Sequence, residues 1–146
     1  MTMWPLFLRA KFLKSASFGF EIEDEDSLIV TVDCKVHGDN YTLALDTGAS
    51  NTVIDLAALI ILGYEVKNSI RTVEFETAKG SLFAYVFLVA EITALGITRQ
   101  NMEICSYDFF NNNIFSDMHG VLGLDFFRDC KFCIDMVERV ITVTQQ

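Results

Sequence analysis

Alternation of apolar and polar residues with a period of two runs through most of the chain and predicts β-strands. Within residues 28–36, the apolar Val30, Val32, Cys34 and Val36 alternate with the polar Thr31, Asp33 and Lys35, which is typical of a strand with one buried face. Residues 37–40 supply a turn in which Gly38 tolerates a positive φ, and residues 41–46 return as a second strand. The parity of this second strand places Asp46 on its face of small residues.

The remaining elements follow from the same patterning and from turn residues. A helix is predicted at residues 56–62, with Asp55 as its N-cap and Gly63 just beyond its C-terminal end. The segment Ala-Lys-Gly-Ser at 78–81 is typical of a hairpin turn, and a short helix is predicted at 124–128. Further strands are predicted at residues 52–54, 70–77, 82–90, 91–96, 102–107, 132–136 and 139–144. Together these elements predict an all-β fold with one or two short helices.

Length and composition indicate one domain. The chain has 146 residues, of which 51% are apolar, and a chain of this size buries about two-thirds of its unfolded surface. It can therefore fold without a metal or a disulfide framework. We expect residues 1–25, which include an acidic stretch, to form an N-terminal extension, and residues 26–146 to form the domain.

Charge and hydropathy exclude several classes of function. The net charge of −9 argues against nucleic-acid binding, which needs basic residues to neutralise phosphates. No apolar run approaches the ~20 residues of a membrane span, since the longest, residues 82–90, stops at Glu91. The apolar core near the amino terminus, Leu-Phe-Leu at 6–8, is too short for a secretory signal. We therefore expect a cytoplasmic protein.

The four cysteines do not form a recognisable metal site. Cys130 and Cys133 make one Cys-x-x-Cys pair, whereas zinc sites need two such pairs or histidines at defined spacing. In a strand, residues three apart lie on opposite faces, so these two thiols are not expected to converge on one ion. We expect reduced thiols, no metal and no cofactor.

The strongest candidate for chemistry is Asp46-Thr47-Gly48. A carboxylate at the end of an apolar strand is an unusual position for a charge. Taken alone, however, an Asp before Thr-Gly is also a common turn former, because its carboxylate accepts hydrogen bonds from backbone N–H groups two residues on. These three residues by themselves leave both interpretations open.

The wider pattern resembles the retropepsin-like aspartic proteases. In that family an Asp-Thr-Gly-Ala/Ser loop is followed by an apolar-apolar-Gly segment, which passes beside the loop and leads into a short helix. This sequence has DTGAS at 46–50 and VLG at 121–123, followed by LDFF. A glycine-containing hairpin at 77–81 stands where the family has its flap. The resemblance covers residues 27–144 and implies a retropepsin-like acid-protease β-barrel.

Two departures from the retroviral members indicate the cellular and bacterial branch of the family. Retroviral members often carry acidic residues at the positions of Ser50 and Asn51, and an Arg at the position of Leu124. The internal ion pair of the viral enzymes is therefore not expected here, and the rim of the cleft is less acidic.

The resemblance also implies a role for each matching residue. Asp46 would be the catalytic acid and base. Members of the family with one motif per chain act as homodimers. Thr47 would hydrogen-bond across the twofold axis of such a dimer, and Gly48 would let the substrate backbone come close. The substrate-binding residues implied by the resemblance are Ala49, Ser50, Asn51, Val53, Val121 and Leu122 in the cleft, and Ala78, Lys79 and Gly80 in the flap.

The number of Asp-Thr-Gly motifs bears on the assembly. The sequence holds one, whereas a bilobal enzyme of this class carries two in a chain about twice as long. Enzymes of this class use a pair of carboxyl groups. The second carboxyl of the pair would therefore be Asp46 of another copy across a twofold axis. This implies an obligate homodimeric aspartic endopeptidase acting on peptide or protein substrates. Asp125 opens a predicted helix, where an acid complements the helix dipole, and is not a second catalytic candidate.

A different class of function stays open beside the endopeptidase. Fold alone does not settle function, so the chain could be a dimerisation or peptide-binding module that keeps the same fold with weak turnover. Retention of Asp46, Thr47, Gly48 and a glycine in the flap favours the enzyme.

Overall fold

The computed structural model describes residues 14–22, 25, 26, 28–78, 80–112, 114 and 117–145. The strands in chain order are β1 (Lys14–Gly19), β2 (Glu21–Ile22), β3 (Val30–Val36), β4 (Asp39–Leu45), β5 (Val53–Asp55), β6 (Arg71–Thr77), β7 (Gly80–Ala94), β8 (Ile97–Tyr107), β9 (Gly120–Leu122), β10 (Cys130–Asp135) and β11 (Val140–Gln145). The helical segments are α1 (Leu56–Ile61) and the 3₁₀ turns Val66–Asn68 and Leu124–Phe127. The predicted all-β class with short helices is confirmed.

Most strands belong to one sheet that curls into a barrel. Its strand order is β2-β3-β4-β9-β5-β8-β7-β6, and β3 also pairs with β7, which closes the sheet on itself. The pairs β4–β9 and β5–β8 are parallel, whereas β6–β7 and β7–β8 are antiparallel. A smaller antiparallel sheet has the order β1-β11-β10. The barrel thus brings β4, β5 and β9, from distant parts of the chain, side by side.

Large apolar side chains fill the barrel. Leu43, Ile54, Phe87 and Phe126 are each at most 1% exposed, and burying a side chain of this size contributes about 1.5–3 kcal/mol. The alternation of β3 is reproduced, since every second residue from Val30 is buried. A second, smaller cluster lies apart from this core and contains Ala84, Val86 and Cys105.

The predicted turns are partly confirmed. His37 and Gly38 both have positive φ, 53° and 87°, as a two-residue hairpin turn requires. The predicted break after residue 90 is wrong, because β7 runs through 15 residues as a single strand and β8 pairs with it along most of that length. The real turn is Leu95-Gly96, again with two positive φ values.

Helix α1 lies where the capping residues predicted a helix. Gly63 has φ of 99° and donates its N–H to the Ile60 carbonyl at 3.0 Å, as a C-terminal glycine should. The prediction that the Asp55 side chain caps the helix is wrong, because its Oδ1 instead accepts the Phe109 N–H at 3.2 Å. In the described part of the chain, no helix combines the length and the apolar character needed to cross a membrane.

Part of the predicted N-terminal extension is described. Its residues in β1 pair with β11, and those in β2 pair with β3. Residues 1–13 and Lys79 lie outside the described residues, and the boundary at residue 25 stays a prediction. As period-two geometry predicted, Cys130 and Cys133 lie on opposite faces of β10, the first half-buried and the second exposed.

Candidate active site

The two sequence motifs meet at the ends of β4 and β9. These strands run parallel, with Leu45 opposite Leu122, and the Asp46 N–H donates to the Leu122 carbonyl at 3.1 Å. Further along, the Leu124 N–H donates to the Ala49 carbonyl at 2.9 Å. The loop that begins at Asp46 is therefore held on both sides by the segment around Gly123.

The Asp46 carboxylate is exposed but held in one orientation. Its Oδ1 accepts the Gly48 N–H at 2.8 Å, and the Ala49 N–H donates to the Asp46 carbonyl at 3.1 Å. A Cβ at position 48 would stand 3.1 Å from the same Oδ1, so glycine leaves room for this contact. The turn-former interpretation and the catalytic interpretation thus describe the same geometry, in which one oxygen is bonded and the carboxylate still faces outward.

Asp125 and Thr52 tie the loop to the 3₁₀ turn at Leu124–Phe127. Thr52 is fully buried, and its N–H and Oγ1–H both donate to the Asp125 carboxylate, the hydroxyl at 2.7 Å. The Gly123 N–H donates in turn to Thr52 Oγ1 at 3.1 Å. The sequence placed Asp125 only at a helix start, and no local pattern could reveal a partner 73 residues away.

Two glycines permit the close approach of the strands behind the loop. A Cβ on Gly120 would stand 2.0 Å from the Val53 carbonyl oxygen, and one on Gly123 would stand 2.6 Å from the Asn51 carbonyl carbon. Neither distance is possible for a real side chain, and both opposing atoms belong to the backbone. Glycine is therefore required at both positions if β9 is to lie against the Asp46 loop.

Seven of the sequence-predicted site residues line one cavity of about 380 Å³. Three further lining residues were missed by the sequence analysis: Phe75 and Leu82, from the β6–β7 hairpin, and Tyr107, from the end of β8. The predicted residues in the lining are Asp46, Gly48, Ala49, Ser50, Asn51, Val53 and Val121. Alternation would have shown that Phe75 and Leu82 face the same side of the hairpin, but not that this side covers Asp46.

The other predicted site residues lie elsewhere. Leu122, which was assigned to a substrate pocket, is fully buried in the main core, because the parity of β9 turns it away from Val121. Thr47 is exposed beside the cavity. Ala78 and Gly80 lie at the turn of the hairpin, where Gly80 has φ of 117°, and Lys79 lies outside the described residues.

The cavity opens on an apolar sheet face. One row of this face crosses five strands through Val121, Val53, Cys105, Val86 and Arg71. Burial raises the pKa of the Cys105 thiol, which keeps this part of the face uncharged. At the far end, Arg71 donates two hydrogen bonds to Glu103.

Two further titratable groups lie on this face, Glu103 and Tyr107. The hydrogen bond from Arg71 lowers the pKa of Glu103. Burial, with a smaller contribution from the charge of Asp55, raises the pKa of Tyr107. Near neutral pH the cavity therefore has a neutral phenol in its wall, and Asp46 is the one carboxylate among its lining residues.

The histidine next to β9 braces the strands that carry the site. The His119 N–H donates to the Thr42 carbonyl at 2.8 Å, and His119 Nδ1 accepts the Thr42 N–H at 3.1 Å. The His119 carbonyl accepts the Asp55 N–H at 2.8 Å. This one residue therefore links β4 to β5, a structural role.

Comparisons with known proteins agree with this geometry. A family model described as gag-polyprotein putative aspartyl protease matches residues 32–129, which contain both motifs and the β6–β7 hairpin. The chain is also similar to a solved retropepsin-like aspartic protease from Rickettsia conorii. That match has a TM-score of 0.63 and 15% sequence identity, and it covers 91% of this chain and 94% of the other. No curated protein matches the sequence. The fold is therefore retropepsin-like.

Proposed function

The chain belongs to the family of gag-polyprotein putative aspartyl proteases, and from that premise we propose that it is a homodimeric aspartic endopeptidase whose catalytic dyad is Asp46 from two copies. The observation that carries this proposal is the Asp46 carboxylate, exposed, fixed by the Gly48 N–H at 2.8 Å and set in the wall of an apolar cavity. A chain with one Asp-Thr-Gly obtains a second such carboxylate only from another copy.

Two carboxyl groups at one site divide the chemistry between them. Two carboxyl groups in close contact cannot both ionise, because their like charges repel, so the pair shares one proton, as is known for aspartic proteases as a class. The ionised carboxylate takes a proton from water, and that water attacks the peptide carbonyl. The protonated carboxyl polarises the carbonyl oxygen and later supplies a proton to the leaving nitrogen. Thr47 of each copy supports the pair across the axis.

The cavity wall favours apolar side chains in the substrate. Phe75, Leu82, Val53 and Val121 line it, and an extended peptide lying between this wall and the hairpin would direct alternate side chains into it. Gly48, Ala49, Ser50 and Asn51 would contact the peptide backbone. The hairpin turn at 78–80 would close over the substrate and exclude water.

Cleavage of a peptide library between acidic and neutral pH tests the proposal. We expect the wild-type protein to cut peptides next to large apolar residues, and the Asp46→Asn variant to lose at least 1,000-fold in kcat/KM, roughly the loss for an essential acid–base group. Asp33→Asn is the matched control, because Asp33 is an exposed acid on β3 outside the cavity.

Three outcomes contradict the proposal. Equal cleavage by wild type and Asp46→Asn would place the activity elsewhere. Peptide binding without cleavage by either protein would favour the alternative of a peptide-binding or dimerisation module with this fold. Sedimentation equilibrium at the concentrations used for cleavage checks the dimer, and a strictly monomeric protein that still cuts would contradict the dyad.

A further inference from the structure

The outer edge of the small sheet is an unused pairing surface. Within the part of the chain that the structure describes, β10 pairs with β11 on one side, and no strand pairs with its other side. An edge strand presents a row of backbone N–H and C=O groups to any strand of matching shape. The side chains of β10 alternate, with Phe132 and Ile134 half-buried and Lys131, Cys133 and Asp135 exposed.

The sequence of β10 is complementary to itself when reversed. If two copies of β10 run antiparallel about a twofold axis at residue 133, Lys131 lies opposite the partner's Asp135, and Phe132 lies opposite the partner's Ile134. Residues directly opposite in an antiparallel pair share a face, and each of these pairs joins residues of the same face. Opposite charges on one face and apolar side chains on the other favour pairing on both.

The Asp135 side chain is held in one orientation by the turn that follows β10. Its Oδ1 accepts the N–H groups of Val137 and Glu138, both at 2.9 Å, which fixes the carboxylate at the end of the strand. On the other face, Phe132 stacks on Phe127 with ring centroids 4.2 Å apart. The β10 edge therefore presents ordered groups on both faces.

The opposite edge of the same sheet lacks this complementarity. Strand β1 has the sequence KSASFG, and antiparallel self-pairing about Ala16 would place Lys14 opposite Phe18, whereas pairing about Ser17 would place Ala16 opposite Phe18. β1 carries no acidic residue that could meet a partner's Lys14. Strand β11 is not available at all, because β1 and β10 of its own chain occupy both of its edges.

We infer that the β10 edge binds the β10 edge of a second copy, in the register that pairs Lys131 with the partner's Asp135 and Cys133 with itself on the axis. This inference rests on the homodimer of the proposed function and assigns its surface. The result is one continuous six-stranded sheet. It lies close to the site, because β10 follows the 3₁₀ turn whose Leu124 N–H is bonded to Ala49 of the Asp46 loop.

The thiol at the centre of β10 makes the register measurable. Opposed residues in an antiparallel pair have Cα atoms about 4.5–5.5 Å apart, within the range that a disulfide spans. Treatment with diamide should link Cys133 to the partner's Cys133. The two thiols lose two electrons and two protons, and diamide accepts both to become the hydrazine.

We expect non-reducing gel electrophoresis of the oxidised wild-type protein to show a disulfide-linked dimer and no larger species, because a residue on a twofold axis links only to itself. Cys133→Ser should abolish this band. Cys130→Ser is the matched control, since Cys130 lies on the same strand but on the opposite face, and it should leave the band unchanged.

A second thiol position separates specific pairing from random collision. In a Cys133→Ser background, Ser17→Cys places an exposed thiol on the outer edge of the same sheet, on β1. We expect this variant to form the linked dimer at least tenfold more slowly than wild type. Equal rates would overturn the assigned edge.

Charge reversal tests the pairing without any thiol chemistry. Lys131→Glu places like charges opposite each other twice per dimer, and we expect the dimer dissociation constant to rise about tenfold. Lys35→Glu makes the same change at an exposed position of β3 and should leave the constant within twofold. An unchanged constant for Lys131→Glu would overturn the register.

These readouts do not depend on proteolysis. A Cys133-linked dimer with no cleavage activity would support the edge and contradict the proposed function. Cleavage by a protein that forms no Cys133 link would support the function and overturn the edge.

Discussion

The Asp46 loop and the β6–β7 hairpin enclose the same cavity but are held by different means. The loop is fixed by backbone hydrogen bonds to Leu122 and Leu124, by the buried Thr52–Asp125 contact and by glycines that admit no side chain. The hairpin is held by pairing between its own strands, and near its turn the Ser81 hydroxyl donates to the Glu76 carboxylate at 3.2 Å. A reacting group needs a fixed position, whereas a cover over a substrate has to open and close.

The largest effect is expected where the loop is braced most tightly. Gly120→Ala would put a Cβ 2.0 Å from the Val53 carbonyl oxygen, so β9 or β5 must move. We expect the free energy of unfolding, measured by urea denaturation, to fall by about 3 kcal/mol or more.

Gly19→Ala is the control for that measurement, because the nearest atom to its added Cβ is 4.0 Å away. Its free energy of unfolding should change by less than about 1 kcal/mol. If Gly120→Ala were equally well tolerated, the loop would not be braced through β9 as described.

A smaller effect, on catalysis rather than on folding, is expected in the hairpin. Leu82 lines the cavity, whereas its neighbour Phe83 faces away and is 62% exposed. For an apolar peptide we expect Leu82→Ala to raise KM about tenfold, the equivalent of losing about 1.4 kcal/mol of apolar contact. Phe83→Ala should stay within about twofold, measured by steady-state kinetics on the same peptide. The reverse order would mean that the hairpin presents its other face to the substrate.

The smallest effect concerns how often the hairpin opens at its base. Burial raises the pKa of Cys105 and raises that of Cys34, in the main core, to about 12. Iodoacetamide reacts with thiolates, so at pH 8 we expect Cys133 to react first, Cys105 slowly and Cys34 slowest. Leu82→Ala should accelerate Cys105 severalfold and leave Cys34 unchanged, as read by mass spectrometry of the labelled peptides. Equal acceleration of both thiols would mean that the whole barrel loosens.

The raised pKa of Cys34 also gives the sign of an alkaline effect on stability. The folded chain keeps this proton at pH values where the unfolded chain releases it, so this stabilisation is present below about pH 9 and is lost as pH rises towards 12.

Sequence patterns predicted the strands and helices of this fold better than the contacts between them. Alternation located β3 and β4, and the paired motifs predicted that Asp46 and Val121 come together. Alternation could not give the length of β7, because the polar Glu91 is tolerated on a strand that β8 pairs along most of its length. Hydrogen-bond partners distant in sequence could not be predicted either. An example is the Phe109 N–H, which donates to the Asp55 carboxylate.

The candidate site was also predicted only in part. The loop side of the cavity was predicted, since its residues follow Asp46 directly in sequence. The opposite wall, Phe75, Leu82 and Tyr107, was missed because period two states which residues share a face and not what that face covers. The assignment of Leu122 to a substrate pocket was wrong for a related reason. The motif does not state which face of β9 each residue occupies, and Leu122 lies on the face that packs in the core.

The pairing of β1 with β11 has a consequence for synthesis in the cell. Ser17 and Thr142, whose side chains are bonded, lie 125 residues apart in sequence, so β1 emerges from the ribosome long before its neighbour exists. Contacts this remote form late, because the chain between them must be ordered first. The three-stranded sheet is therefore completed only when nearly the whole domain has been translated. A nascent chain lacks a finished β10 edge, so the pairing that we infer for this edge would be delayed until translation is almost over.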